Sequence, residues 1–115
     1  MRNAIIVSVI VVVFTACSIC SDMYVSSLTD EMLEKLDKAD SVEALEALTE
    51  EWDKKSGIAE LMIDHGEIDI LNQYLWAMQV EIVYDYDEFM ESKKLAGEMF
   101  KHIKERNTTG INNIL

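Results

Sequence analysis

Residues 64–69 contain the side chains that come closest to a metal-binding or reactive group. They read Asp-His-Gly-Glu-Ile-Asp, so one imidazole lies among three carboxylates. Imidazole nitrogens and carboxylate oxygens bind divalent cations, which makes His65, Glu67 and Asp69 a candidate metal site. Positions two apart point in nearly opposite directions on a helix, so the three side chains converge only if Gly66 opens the helix. On a continuous helix, the alternative pair is His65 with Asp69, four residues apart. The alternative is structural: Glu67 and Asp69 place favourable negative charge at the start of a helix.

Both cysteines, Cys17 and Cys20, lie inside an uncharged apolar segment. A Cys-x-x-Cys spacing elsewhere would indicate zinc or redox chemistry. Here no neighbouring base or cation stabilises a thiolate, so the pair does not predict a redox centre. Residues 14–17 read Phe-Thr-Ala-Cys and are similar to a bacterial lipobox, although Phe14 stands where an aliphatic residue is usual. The segment therefore predicts Cys17 as a candidate lipidation site.

The rest of the chain shows no arrangement typical of catalysis. No nucleophilic side chain has a base beside it in sequence, and no glycine-rich phosphate loop occurs. The carboxylates at residues 85, 87 and 88 lack the spacing and central glycine of a calcium loop. His102 would join His65 only if the helices that carry them were neighbours. We therefore expect a protein that is not an enzyme and has no cofactor.

An uncharged apolar run at residues 4–20 predicts a membrane anchor or an export signal. As a helix it would be about 26 Å long, slightly less than a hydrocarbon core of about 30 Å. Arg2 precedes the run and the next basic residue is Lys35, so we expect the amino terminus in the cytoplasm and the remainder outside. Three fates stay open: a retained single-pass anchor, a lipoprotein, and a secreted protein cut near residues 16–18. We divide the chain into a leader, residues 1–21, and a domain, residues 22–115.

The domain is strongly acidic. All 22 acidic residues lie in it, with nine of the ten basic residues, and the full chain has a net charge of −12. This charge argues against nucleic acid as a partner, because phosphates require a basic face. A partner protein with a basic surface, a divalent cation, or solubility alone would each explain it.

Helical spacing of apolar residues predicts four helices after the leader. The first begins near Ser27, which with Asp30 has the spacing of a capping box, or it continues from the apolar run. The second, which Asp40 or Ser41 caps, runs from Val42 towards His65, with a weak point at residues 53–57 and a glycine cap at its end. The third extends from about residue 68 to residue 83, and a turn at residues 84–87 leads to a fourth that Asp87 caps. Residues 107–110 end the fourth helix, and the apolar tail at residues 111–115 packs back onto the bundle.

Each predicted helix has one apolar stripe. The third is the clearest because its apolar residues recur at intervals of three and four, as in a packed bundle. We also expect both tryptophans and the tyrosines in the core, and Val83 on the apolar face of the third helix. The pattern predicts an all-α, up-and-down bundle of three to four helices behind a hydrophobic leader helix. The expected core consists of Leu28, Met32, Leu36, Ala39, Leu45, Leu48, Trp52, Ala59, Met62, Ile63, Ile68, Leu71, Leu75, Met78, Ile82, Phe89, Leu95, Ala96, Met99, Phe100 and Ile103.

Several features occur together in a known family. An apolar start is followed by Trp52, by residues 61–69 reading Leu-Met-Ile-Asp-His-Gly-Glu-Ile-Asp, and by residues 111–115 reading Ile-Asn-Asn-Ile-Leu. This pattern resembles the family known as domain of unknown function 4363, short membrane-anchored or exported proteins of Firmicutes bacteria. The resemblance spans nearly the whole chain and implies a location and an architecture. It transfers no active site, because the family has no established function.

These observations favour a non-enzymatic accessory or interaction protein. We expect a helical bundle tethered to the cell membrane, with its domain outside the cytoplasm and an unknown protein as its partner. The alternative function is an extracytoplasmic module that binds a divalent cation through residues 64–69.

Overall fold

Four helices form the fold. The structure is a computed structural model that describes residues 2–114, with side chains for residues 2–106. The helices are α1 (Arg2–Asp37), α2 (Val42–Ala59), α3 (His65–Tyr84) and α4 (Tyr86–Ile114). No strand occurs over this range. The predicted all-α fold with an apolar leader helix is confirmed.

Helix α1 is continuous from the apolar run into the bundle. Its 36 residues correspond to a length of about 54 Å. The helix start predicted at Ser27 is therefore wrong, and the predicted continuity is confirmed. No glycine or proline interrupts residues 2–37, and the Thr29 hydroxyl donates to the carbonyl of Val25 at 2.9 Å within the helix.

The first half of α1 has no protein packed around it. It is the one helix in the part of the chain that the structure describes whose length and composition suffice to cross a membrane, and its apolar window is 0% buried. A signal sequence passes the same test. Burial begins at Val25, which is the first α1 residue of the core.

The helices pack in the cyclic order α1, α2, α3, α4, each against two neighbours. Contacts between sequence-distant residues show that all neighbours are antiparallel. Between α3 and α4, for example, Ser92 donates to Glu81 at 2.6 Å near the turn, whereas Arg106 pairs with Glu67 at the other end. This is the predicted up-and-down bundle.

The predicted apolar stripes fill the core. The Trp52 ring meets the Phe100 ring edge-on, with centroids 5.4 Å apart, and so links α2 to α4 across the bundle. Partly buried Leu33, Met62, Ile82 and Met99 pack around the centre. The buried hydrophobic residues are Val25, Leu28, Met32, Leu36, Ala39, Leu45, Leu48, Trp52, Ala59, Ile63, Ile68, Leu71, Leu75, Met78, Phe89, Ala96, Phe100 and Ile103.

Two connections differ from their predictions. Helix α2 runs unbroken through Gly57 and ends at Ala59, so the predicted extension towards His65 is wrong. Helix α3 starts at His65 because the Asp64 carboxylate accepts from the backbone N–H of Gly66 at 2.9 Å. Gly66 therefore lies in the first turn of α3 and does not cap α2. The cap predicted at Ser41 is confirmed, because its hydroxyl accepts from the N–H of Ala44 at 3.1 Å.

The turn between α3 and α4 is shorter than predicted. A single residue, Asp85, separates the helices, and its carboxylate accepts from the N–H of Glu88 at 3.2 Å. The cap predicted at Asp87 is therefore wrong. Helix α4 continues to Ile114, so its predicted end at residues 107–110 is also wrong. The predicted packing of residues 111–115 lies outside the described side chains.

The leader projects from one end of the bundle, which we call the proximal end. Lys104 pairs with Asp30 at 2.7 Å and Lys55 pairs with Glu31 at 2.8 Å, so the end of α2, the start of α3 and Arg106 lie on this side. The opposite, distal end contains residues 38–41 and Asp85, and Lys93 binds Asp40 there at 2.8 Å.

Candidate interaction surface

An apolar stripe lies exposed on the outer face of α3, in its distal half. Trp76, Val80 and Val83 occupy positions i, i+4 and i+7, which places them on one face of the helix. Their exposed fractions are 69%, 43% and 63%, and Tyr84, which follows them, is 84% exposed. We call these four residues the α3 stripe. Contiguous exposed apolar surface of this kind is typical of interaction sites.

The core position predicted for Trp76 is wrong. The neighbouring residue Leu75 takes the inward position and is 1% exposed, so the next residue turns away from the core. The prediction for Trp52 is confirmed, because it is buried to the same extent. The predictions for Val83, Tyr84 and Tyr86 are also wrong, because all three are exposed in the distal half of the bundle.

A shallow groove separates the α3 stripe from α2. It has a volume of about 340 Å³, with Trp52 at its base and Trp76 at its edge. The indole N–H of Trp52 donates to Asn72 at 2.7 Å, and the amide of Gln79 donates to the hydroxyl of Thr49 at 3.0 Å. These bonds between α2 and α3 fix the floor of the groove beside the stripe.

The sequence segment that contains α3 has acidic residues but no lysine or arginine. No lysine or arginine occurs between Ser56 and Ser92, whereas nine aspartates and glutamates do. The basic side chains lie on α1, near Lys54 on α2, and from Lys93 onward on α4. The stripe therefore faces solvent in an acidic environment.

The three predicted metal ligands do not share one environment. His65 and Asp69 are exposed on α3, whereas Glu67 is buried. The guanidinium of Arg106 donates to the Oε1 atom of Glu67, and Nε2 of His102 lies 3.8 Å from the same oxygen. Among residues 2–106, no group of three or more His, Cys, Asp or Glu side chains is arranged to hold a metal ion. The cation site stays a prediction.

The pair of Glu67 and Arg106 was not found from the sequence. The two residues are 39 positions apart, and only the folded hairpin of α3 and α4 brings them together. One signal was available: Glu67 precedes Leu71 by four residues and so shares the buried face of α3. The Oε2 atom of Glu67 is buried without a hydrogen-bond partner among the atoms that the structure describes.

A second ionic cluster joins α1 to α2. Lys55 binds Glu31 at 2.8 Å and Glu51 at 2.9 Å, and Lys35 binds both carboxylates as well. Hydrogen bonds from Lys55 and Lys35 hold the pKa of the Glu31 carboxyl below its usual value. The cluster stabilises the alignment of α1 with α2 as long as Glu31 is ionised.

Cys17 and Cys20 are exposed free thiols in the apolar half of α1. This is where their sequence placed them, outside the bundle and away from the ionic clusters. Lipidation of Cys17 stays a prediction.

Residues 19–114 match the family model described as Domain of unknown function (DUF4363). The match includes the bundle and begins just inside the apolar run. No curated protein and no solved structure matches the chain. Since the family model spans most of the sequence and the resemblance noted in residues 61–69 falls within it, the chain belongs to the family of domain of unknown function 4363.

Proposed function

We propose that this chain is a membrane-tethered accessory protein that binds a partner protein through the α3 stripe. The observation that carries the proposal is the exposed stripe Trp76, Val80, Val83 and Tyr84 in a segment that has no lysine or arginine. Helix α1 supplies the tether and holds the bundle outside the cytoplasm, as the charge around its apolar run favours. No chemistry on a bound substrate is part of this function.

The partner is a protein segment with an apolar ridge flanked by lysines or arginines. Apolar side chains at spacing i, i+4 and i+7 match an amphipathic helix laid along α3. The absence of Lys and Arg between Ser56 and Ser92 favours a basic partner, because like charges across an interface oppose binding. The same argument disfavours a second copy of this chain, whose net charge is also −12.

Trp76 is the expected energetic centre of the interface. Exposed tryptophan is enriched among residues that dominate binding, and its loss often costs 2 kcal/mol or more. A free energy of about 2 kcal/mol corresponds to roughly a 30-fold loss of affinity. Val80 and Val83 provide the surrounding apolar contact.

A designed peptide tests this directly. The probe is a dye-labelled amphipathic helix of leucine and lysine, added to the full chain in phosphatidylcholine nanodiscs, with fluorescence anisotropy as the readout. Its leucine and glutamate counterpart is the charge control. We expect the basic peptide to bind, with affinity that falls as salt rises, and the acidic peptide not to bind.

Variants separate docking at the stripe from general attraction to an acidic protein. Trp76→Ala leaves the net charge of the protein unchanged and should lower its affinity for the basic peptide about 30-fold. Ile58→Ala, an apolar truncation at the other end of the bundle, should leave affinity unchanged. Equal binding by wild type and Trp76→Ala, or equal binding of both peptides, would refute the proposal.

The location is tested independently of binding. Tyr84→Cys, in a chain with Cys17→Ser and Cys20→Ser, places one thiol at the distal end. We expect a membrane-impermeant maleimide to label this thiol in intact cells, and we expect the labelled protein in the membrane fraction. Labelling only after lysis would place the bundle in the cytoplasm and contradict the proposed orientation.

A further inference from the structure

Two exposed apolar side chains lie at the proximal end of the bundle. Leu61, in the connection between α2 and α3, is 85% exposed, the largest fraction for a big hydrophobic residue among the side chains that the structure describes. Ile58, in the last turn of α2, is 54% exposed. Neither belongs to the α3 stripe, which lies at the distal half of the molecule.

The register of α1 and α2 gives the height of this connection along α1. Lys55 lies beside Glu31, and α2 runs antiparallel to α1, so later residues of α2 approach the leader. Six residues separate Lys55 from Leu61, which moves Leu61 about 9 Å towards the leader, to the level of Val25. Val25 is five residues, or about 7.5 Å of helix, beyond the end of the apolar run at Cys20.

The headgroup layer of a bilayer extends to the level of Val25 and Leu61. Its headgroup layers add roughly 5–7 Å to each side of the hydrocarbon core. The apolar run is about 4 Å shorter than a core of about 30 Å, and a short span draws flanking residues towards the membrane or thins the bilayer locally. Leu61 therefore lies at the depth of the lipid headgroups when α1 spans the membrane, and Ile58, about 4.5 Å further from the bilayer, lies at the outer edge of that layer.

We propose that the connection between α2 and α3 is a second membrane contact, in which Leu61 inserts into the headgroup layer of the bilayer that holds α1 and Ile58 contacts the outer edge of that layer. The proposal rests on the membrane tether of the proposed function, not on binding at the α3 stripe. Glu60 lies between the two apolar residues in the sequence, and Asp64 follows them; both acidic side chains are exposed. A zwitterionic surface suits them, and an anionic one repels them.

Environment-sensitive labelling tests the contact. The full chain carries Cys17→Ser and Cys20→Ser, together with either Leu61→Cys or Tyr84→Cys, and a nitrobenzoxadiazole dye on the new thiol. Tyr84 is a matched control because it is 84% exposed and lies at the distal end. Both proteins are placed in phosphatidylcholine vesicles with and without a nitroxide attached to the lipid headgroup. Ile58→Cys provides a second position, and circular dichroism checks that each variant keeps the helical content of the wild type.

We expect the dyes at residues 58 and 61 to shift to shorter emission wavelength on reconstitution and to be quenched by the lipid nitroxide. The dye at residue 84 should show neither change, and anionic phosphatidylserine should reduce quenching at residue 61. Equal quenching at residues 61 and 84, none at residue 61, or stronger quenching in anionic vesicles would overturn the second contact while the tether stands. A chain that fails to remain in the vesicles would overturn the tether and this contact together.

Discussion

Replacing each tryptophan by alanine should separate stability from binding. Trp52 is 1% exposed, packs edge-on against Phe100 and donates to Asn72 at 2.7 Å. Removing a buried tryptophan side chain costs about 3–5 kcal/mol, because apolar burial is lost and a cavity remains. Trp76 is 69% exposed, so Trp76→Ala should cost less than about 1 kcal/mol.

Thermal unfolding gives the clearest measurement of this difference. A domain of this size changes its Tm by about 4–8 °C for each kcal/mol, so Trp52→Ala should lower Tm by roughly 12–40 °C. Trp76→Ala should lower it by less than about 8 °C. The assay is far-ultraviolet circular dichroism of the full chain in a mild detergent, in which the apolar half of α1 contributes a constant signal. Equal losses for the two variants would refute the assignment of Trp52 to the core and Trp76 to the surface.

Three further predictions concern the charged residues. Arg106→Ala leaves the buried carboxylate of Glu67 without its cation and should lower the free energy of unfolding in urea by about 1–3 kcal/mol. Adding Glu67→Gln should restore part of this loss. A double variant as unstable as Arg106→Ala alone would contradict the prediction. Because the pKa of Glu31 is lower in the folded protein, its contribution to stability is present above its unfolded pKa and disappears as pH falls through its folded pKa. The Tm difference between the wild type and Glu31→Gln should therefore shrink on acidification; a difference that does not change with pH would count against the cluster. In calorimetry with zinc, the wild type and His65→Ala should give the same heat, because Arg106 already pairs with the carboxylate of Glu67. A heat of binding that His65→Ala abolishes would support the cation-binding module instead.

Local spacing was enough to predict much of the fold. Ile68, Leu71, Leu75 and Met78 recur at intervals of three and four, and all four lie in the core. The hydroxyl of Ser41 precedes a clear apolar stripe and caps α2 as expected. These features depend on residues within one or two helical turns, so the sequence carries them directly.

Features that depend on competition between neighbours were harder to predict. At the end of α2, Gly66 suggested a C-terminal cap for that helix. Instead, the Asp64 carboxylate caps the start of α3, and Gly66 lies in the first turn of α3. At Trp76, hydrophobicity suggested burial, but the helical phase is fixed by Leu75 beside it. The ionic pair of Glu67 with Arg106 requires the register of α3 against α4, which no local pattern specifies. The candidate interaction surface could therefore be identified only from the structure.

The uninterrupted α1 helix sets a fixed reach for the molecule. A flexible linker would let the domain sample many distances from the bilayer, whereas a helix of about 1.5 Å per residue acts as a rigid strut. Trp76 and Tyr84 lie roughly 25–35 Å beyond Cys20 along the direction of α1. In the proposed orientation, a partner embedded in the same bilayer would have to present its basic ridge at this height above the membrane. Short extracellular loops would not reach it, so the length of α1 would restrict which proteins can bind.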